Sequence, residues 1–217
     1  MLTKNKERPI LFNGEMARAI LDGRKTQTRR VIKLNGSGRV KEVGSCRNWH
    51  LDDPDAVLAC PYGKPGDRLW VRETWSASSE HMAIHRPYPD SWFWYRADND
   101  RPTWAEGRWK PSIHMPRWAS RILLEVVSVR VERVQMIGPI DCFAEGCMPI
   151  DQWPRQKEVV SGTAGEGVIE AYKQSQSKEV FKELWDSIND GRGFGWGVNP
   201  RVWAVEFKVI EGGSANA

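Results

Sequence analysis

The 217-residue chain has only four cysteines, at positions 46, 60, 142 and 147, and no CxxC pair. That is too sparse for a disulfide framework, so reduced thiols are expected. A zinc set would need Cys46, His50 and Cys60 completed by Cys142, Cys147 or His81. The spacing favours satisfied thiols over a metal centre, and no cofactor is assigned. No apolar run approaches the length of a membrane span, and the opening Met1-Leu2-Thr3-Lys4 lacks the apolar stretch of a signal peptide. The expectation is a cytoplasmic protein without a membrane partner. Excess charge of one sign is also missing: 32 Lys and Arg stand against 28 Asp and Glu, a formal net charge of +4, too balanced to point to nucleic acid by itself. Internal repeats and sustained heptads are absent. The glycine-rich stretch Gly162-Thr163-Ala164-Gly165-Glu166-Gly167 lacks the Gly-Lys-Ser or Gly-Lys-Thr ending of a phosphate loop.

What the chain does have is tryptophan, twelve residues of it, several beside basic neighbours as in Trp70-Val71-Arg72, Trp109-Lys110 and Arg117-Trp118. Such rings can stack on bases or simply pack. It also has the segment Gly23-Arg24-Lys25-Thr26-Gln27-Thr28-Arg29-Arg30 just after a short amphipathic stretch. Its four cations and two hydroxyls can bind phosphate or base, or can serve as a solvated helix end.

The periodicity predicts a strand at 8–12, then a helix over 15–22 capped by Asn13, with Met16, Ala19 and Ile20 inward and Gly23 as its stop. A strand follows at 26–32, and Gly36, Gly38 and Gly44 mark an excursion. After a turn at 61–66, the strand 67–73 puts Leu69 and Val71 on one face and Trp70 and Arg72 on the other. Residues 76–118 form an irregular insertion around a short strand at 93–96. Strands at 121–134 and 201–210 and helices at 140–145 and 178–189 complete the set, the last helix carrying Val180, Phe181, Leu184, Trp185 and Ile188 on its packed face. One mixed α+β domain results, with insertions near 36–60, 76–110 and 148–177, a tail at 212–217 and a small closed or strongly curved sheet. Its core is expected to contain Leu69, Val71, Ile122, Leu124, Val126, Val205 and Phe207.

This order resembles the ASCH family of the PUA-like superfamily. The likeness rests on Gly23 to Arg29 after the first helix, Pro65-Gly66-Asp67-Arg68-Leu69-Trp70-Val71-Arg72-Glu73, the strand from Arg121 and the closing Val202-Trp203-Ala204-Val205-Glu206-Phe207. Pro111 to Trp118 adds a likeness to the enlarged ASCH-domain proteins of tailed phages and prophages. The resemblance implies a PUA-like curved β-barrel decorated by helices and long inserted loops. The small ASCH amidohydrolases that act on N4-acetylcytidine have a Lys and a Thr three residues apart, matching Lys25 and Thr28, and a catalytic Glu matching Glu145 in Ala144-Glu145-Gly146. In that chemistry Lys25 would activate Thr28 or water, and Glu145 would orient the nucleophile or move its proton. The plainer alternative is that Lys25 and Glu145 form an ion pair while Thr28 completes a strand-edge bond.

Three functions follow as expectations. The first is binding of RNA, single-stranded nucleic acid or a modified nucleotide through a basic cleft, with Arg24, Lys25, Arg29 and Arg30 facing the ligand, Arg72 on the opposite wall, and Trp70 and Glu73 beside it. Arg72 and Glu73 are expected to pair across that cleft or as a structural salt bridge, and His114 is expected to pack or lie at a rim. The second is hydrolysis of an amide on a modified pyrimidine by Lys25, Thr28 and Glu145. The third is a phage structural module that binds a phage or host protein.

Overall fold

The computed structural model describes residues 6–41, 47–77, 93–98, 108–147 and 177–212. Cys46, Gly44, His81, the glycine-rich stretch at 162–167, most of the 148–177 insertion and nearly all of the 212–217 tail lie outside the described residues.

In chain order the elements are β1 (Glu7–Leu11), α1 (Gly14–Leu21), β2 (Gln27–Val31), β3 (Val40–Lys41), β4 (Asn48–Trp49), β5 (Arg68–Arg72), β6 (Trp75–Ala77), β7 (Phe93–Tyr95), β8 (Ile122–Arg133), α2 (Pro139–Ala144), α3 (Ser177–Asn189) and β9 (Arg201–Gly212). Five strands form one sheet in the order β1-β5-β8-β9-β2; β3 with β4 and β6 with β7 make two small sheets. The architecture is mixed α/β with a multi-strand sheet and few helices. Among the described residues β1 and β2 stay at opposite edges, so the sheet does not close. No helix of the described residues is long and apolar enough to cross a membrane.

The chain divides into two compact units, one of residues 1–23, 65–127 and 207–217, the other of residues 24–64 and 128–206. In the first, β1 runs parallel to β5 with Ile10 opposite Val71, and β5 runs antiparallel to β8 with Leu69 opposite Leu124. Alternation then buries Leu69, Val71, Ile122, Leu124 and Val126, together with Phe207, all at 2% exposure or less. Each such side chain contributes about 1.5–3 kcal/mol of apolar transfer. Helix α1 starts where the Asn13 side chain accepts from the Met16 backbone N–H at 2.8 Å, and it ends at Gly23, whose φ of 72° is left-handed. Its buried face is Ala17, Ala19 and Ile20; Met16 is only half-buried, so the inward stripe sits one residue from its expected start. A second apolar cluster gathers Trp75, Phe93, Tyr95, Met115 and Ala119.

In the second unit β2 runs antiparallel to β9, with Thr28 opposite Val205 and Arg30 opposite Trp203. Val205, the remaining expected core residue, is fully buried. Phe181 and Trp185 of α3 pack with Val134, Ile137, Cys142 and Val202, while Val180, Leu184 and Ile188 are half-buried along the same helix. Helix α2 begins with a proline, whose missing N–H costs nothing at a first turn, and Glu145 is its C-cap.

Candidate functional site

The site is built where residues 24–29 meet the end of α2, all within the second unit. Thr26 N–H donates to the Ala144 carbonyl at 2.8 Å, and Lys25 and Glu145 form an isolated antiparallel bridge. That backbone pairing aims the Lys25 side chain at its partner: Nζ donates to the Glu145 carbonyl at 2.9 Å and to its Oε2 at 2.7 Å. The two side chains are 0% and 4% exposed.

Arg29 extends the pair into a network. Its Nε donates to Glu132 Oε1 at 2.7 Å, one terminal nitrogen to Gln27 Oε1 at 2.7 Å and Glu145 Oε1 at 3.0 Å, and the other to Asp141 Oδ2 at 2.8 Å. Arg130 closes the far side, reaching Glu132 Oε2 and both Asp141 oxygens at 3.1 Å. Three cations (Lys25, Arg29, Arg130) thus face three carboxylates (Glu132, Asp141, Glu145), which is how buried charge is tolerated. Burial by itself would lower the Arg29 pKa, but Glu145, Glu132 and Asp141 outweigh it and leave it raised. The Phe181 ring lies 5.9 Å from the guanidinium carbon. Beside the network the Cys142 thiol is pushed up to about 11, chiefly by burial, and Cys147 to about 12 by burial and the Glu145 charge.

Strand alternation decides where the other residues of the basic segment go. Gln27 and Arg29 face the network, so Thr28 and Arg30 project from the opposite face of β2. Thr28 is buried at 3% exposure. The Arg30 pKa is lowered, first by burial and further by the like charge of Arg192, against the opposing influence of Tyr62 and Glu145. Burial is also the main reason that the Tyr62 pKa is raised. Arg24 is half-buried and reaches the Gly146 carbonyl at 3.4 Å. The fold therefore brings Lys25 and Glu145 into contact, joins Arg29 to Glu145, and turns Thr28 and Arg30 to the other side of the strand.

Trp70, Arg72 and Glu73 belong to the first unit. Arg72 donates to the Met115 carbonyl at 3.0 Å and to the Ile113 carbonyl, with its guanidinium 5.2 Å from the Trp70 ring. Glu73 pairs with Arg121, not with its sequence neighbour Arg72: Arg121 donates to the two Glu73 oxygens at 2.9 and 3.2 Å and to the two Asp98 oxygens at 2.5 and 3.0 Å. The expected Arg72–Glu73 pair gives way because successive side chains at a strand end point to opposite faces. Arg121 also stacks 3.9 Å from the Tyr95 ring centre. Burial raises the Glu73 pKa, opposed by the hydrogen bond and charge of Arg121.

His114 is exposed on a single helical turn at Ser112–His114, and His50 accepts from Arg39 Nε at 3.1 Å. Among the described residues no group of three or more His, Cys, Asp or Glu could hold a metal ion. Arg130, Glu132 and Asp141 went unread in the sequence. The available signal was the polar row Ser128, Arg130 and Glu132 at alternate positions of an otherwise apolar strand. Compared with known proteins, the chain matches no protein-family model, no curated protein and no solved structure.

Proposed function

We propose that the chain is a PUA-like protein of ASCH type whose second unit binds a nucleotide, free or within a nucleic-acid strand. The observation that carries the reading is the setting of Arg30. Lys25 and Arg29 are committed to carboxylates, whereas Arg30 lies on the other face of β2, where burial lowers its pKa, Tyr62 and Glu145 favour its charge and the like charge of Arg192 opposes it. An anion bound there relieves that repulsion, and the Tyr62 ring adds an apolar surface with a hydroxyl tip. The mixed sheet, with its parallel β1–β5 pair and α1 between β1 and β2, supports the PUA-like assignment.

Low-salt titration of RNA, single-stranded DNA and a mononucleotide against wild type, Arg30→Ala and Arg192→Ala tests the reading. The expected result is at least a roughly tenfold loss in each variant and a salt slope shallower by about one per phosphate contact removed. Binding unchanged in both variants overturns it, as does no binding by wild type. A stable protein complex insensitive to both charges would favour the phage structural module instead. Arg29 is unsuited to this test, since removing it breaks the buried network.

One contact favours a second reading, hydrolysis of an amide on an N4-acylated pyrimidine. The resemblance to ASCH amidohydrolases groups Lys25 with Glu145, and their side chains meet at 2.7 Å. Substrate access would require this closed pair to part. Release of acid from N4-acetylcytidine, followed by mass spectrometry for wild type, Lys25→Ala, Thr28→Ala and Glu145→Ala, decides it. No turnover by folded wild type rejects the reaction; turnover undiminished in all three variants rejects the site.

A further inference from the structure

The second unit contains a cleft of about 590 Å³ that none of the network residues lines. This volume falls within the ~300–1,000 Å³ typical of small-molecule sites. Five of its lining residues are apolar and large, Ile32, Leu34, Leu51, Phe194 and Val198. Leu34 and Val198 remain 49% and 63% exposed, so two large uncovered apolar side chains and a half-buried ring belong to the cleft lining. The lining also holds three cations, Lys33, Arg133 and Arg201, with Gly193 and Pro200, and no lining residue is acidic. Arg201 is tethered to Asp52 at 2.5 Å and Arg133 donates to the Asn199 carbonyl at 2.9 Å, while Lys33 is exposed.

The wall that carries Phe194 and Val198 is held in shape. Gly193 and Asn199 are both left-handed, with φ of 78° and 50°. Asn199 Oδ1 accepts from the Gln135 backbone N–H at 3.1 Å, Gln135 Nε2 donates to the Trp196 carbonyl at 2.8 Å, and Asp186 Oδ1 accepts from the Trp196 N–H at 2.6 Å. Such a wall does not have to order itself around a ligand, which saves affinity.

We propose that this cleft seats one nucleotide unit, its base against the apolar side chains and its phosphate at the cations. The inference rests on reading the second unit as a nucleotide binder, and it adds a seat whose lining includes neither Arg30 nor Arg192. A bare phosphate would leave the apolar lining uncovered, and a neutral apolar ligand would leave the charges of Lys33 and Arg133 unanswered, Arg201 already facing Asp52. A base joined to a phosphate satisfies both, through stacking on Phe194 and contact with Leu34 and Val198, and through charge-assisted bonds from Lys33 and Arg133. Free mononucleotide and a unit of a single strand share this chemistry.

The test titrates the full chain at low salt with cytidine monophosphate, cytidine, inorganic phosphate and a short single-stranded oligocytidine. The variants Lys33→Glu and Val198→Asp both lie at exposed positions, and Arg192→Ala reports on the Arg30 region. The monophosphate is expected to bind more tightly than either of its parts, and each cleft variant to lose about tenfold or more. Binding of the oligonucleotide but not the monophosphate, abolished by the cleft variants, identifies the strand as the source. Independently of any variant, bound nucleotide is expected to slow acetylation of Lys33 but not of the exposed Lys178. If wild type binds but neither the cleft variants nor Lys33 protection responds, the seat is overturned while nucleotide binding stands. Equal competition by inorganic phosphate also overturns it. If wild type binds neither nucleotide probe, both readings fall.

Discussion

Lys25 and Glu145, 120 residues apart in sequence, are joined twice, by a backbone bridge and by an Nζ–Oε2 contact of 2.7 Å that is almost wholly buried. The two partners are not equivalent. Without Lys25, Glu145 still faces Arg29; without Glu145, both Lys25 and Arg29 lose a carboxylate. Breaking a buried pair from one side costs about 3–5 kcal/mol. Glu145→Gln is therefore expected in that range and Lys25→Met below it, with the double variant costing less than the sum. Urea unfolding of the four proteins measures the cycle. Additive losses would mean that the two charges do not stabilise each other.

Much of the core was readable because alternation is a strong signal in long apolar strands. Leu69 with Val71, and Ile122 with Leu124 and Val126, are buried as their spacing requires. The helix was readable to within a residue, Ala17 taking the place of Met16, since small and large apolar residues fall on both sides of the stripe. The site was far less legible. Arg29 meets Glu132 and Asp141 more than a hundred residues away, and no local pattern encodes such a pairing. Glu145 was singled out only through the family resemblance. Arg72 and Glu73 show the opposite error: adjacent opposite charges suggest a pair, yet strand geometry sends them to different partners.

The thiols beside the network make a sharper test of its electrostatics. With a pKa near 12 in place of 9.0, Cys147 has roughly a thousandfold less thiolate in the folded protein near pH 8. In a Cys46→Ser background, iodoacetamide is expected to modify Cys147 at least ~100-fold more slowly in the native protein than in urea. Because the folded pKa is raised, the stability this thiol contributes is complete below 9.0 and fades as pH climbs towards 12. Native labelling as fast as the unfolded rate would show that neither burial nor Glu145 controls the sulfur.

Glu73 gives a pH dependence at the acid end. Burial is the largest influence and raises its pKa despite Arg121, so the folded protein holds this proton longer than the unfolded chain does. Its contribution to stability is complete below the unfolded value near 4.5 and is lost as pH rises through the folded one. Glu73→Gln cannot release a proton. The stability of wild type relative to this variant is expected to fall as pH rises above the unfolded value near 4.5, as followed by urea midpoints at each pH. A relative stability that grows with pH would mean that the Arg121 charge outweighs burial.

Gly195 opens the turn Trp196–Val198 with a φ of −58°, so its backbone suits any residue and only crowding calls for glycine. An added Cβ would overlap Asp190 Oδ1 and lie 3.4 Å from Asp186 Oδ1. These neighbours can respond differently. Asp190 is exposed and free to swing, whereas Asp186 is held by the Trp196 N–H at 2.6 Å. Because Asp190 can turn aside, Gly195→Ala is expected to cost less than about 1 kcal/mol, and Asp190→Ala in the same chain to recover most of that loss. Thermal unfolding of the single and double variants reads the effect. If the double variant stays as unstable as Gly195→Ala, then the clash with Asp190 is not the cause, and the Asp186 hold on the turn that carries Phe194 and Val198 is what the added methyl disturbs.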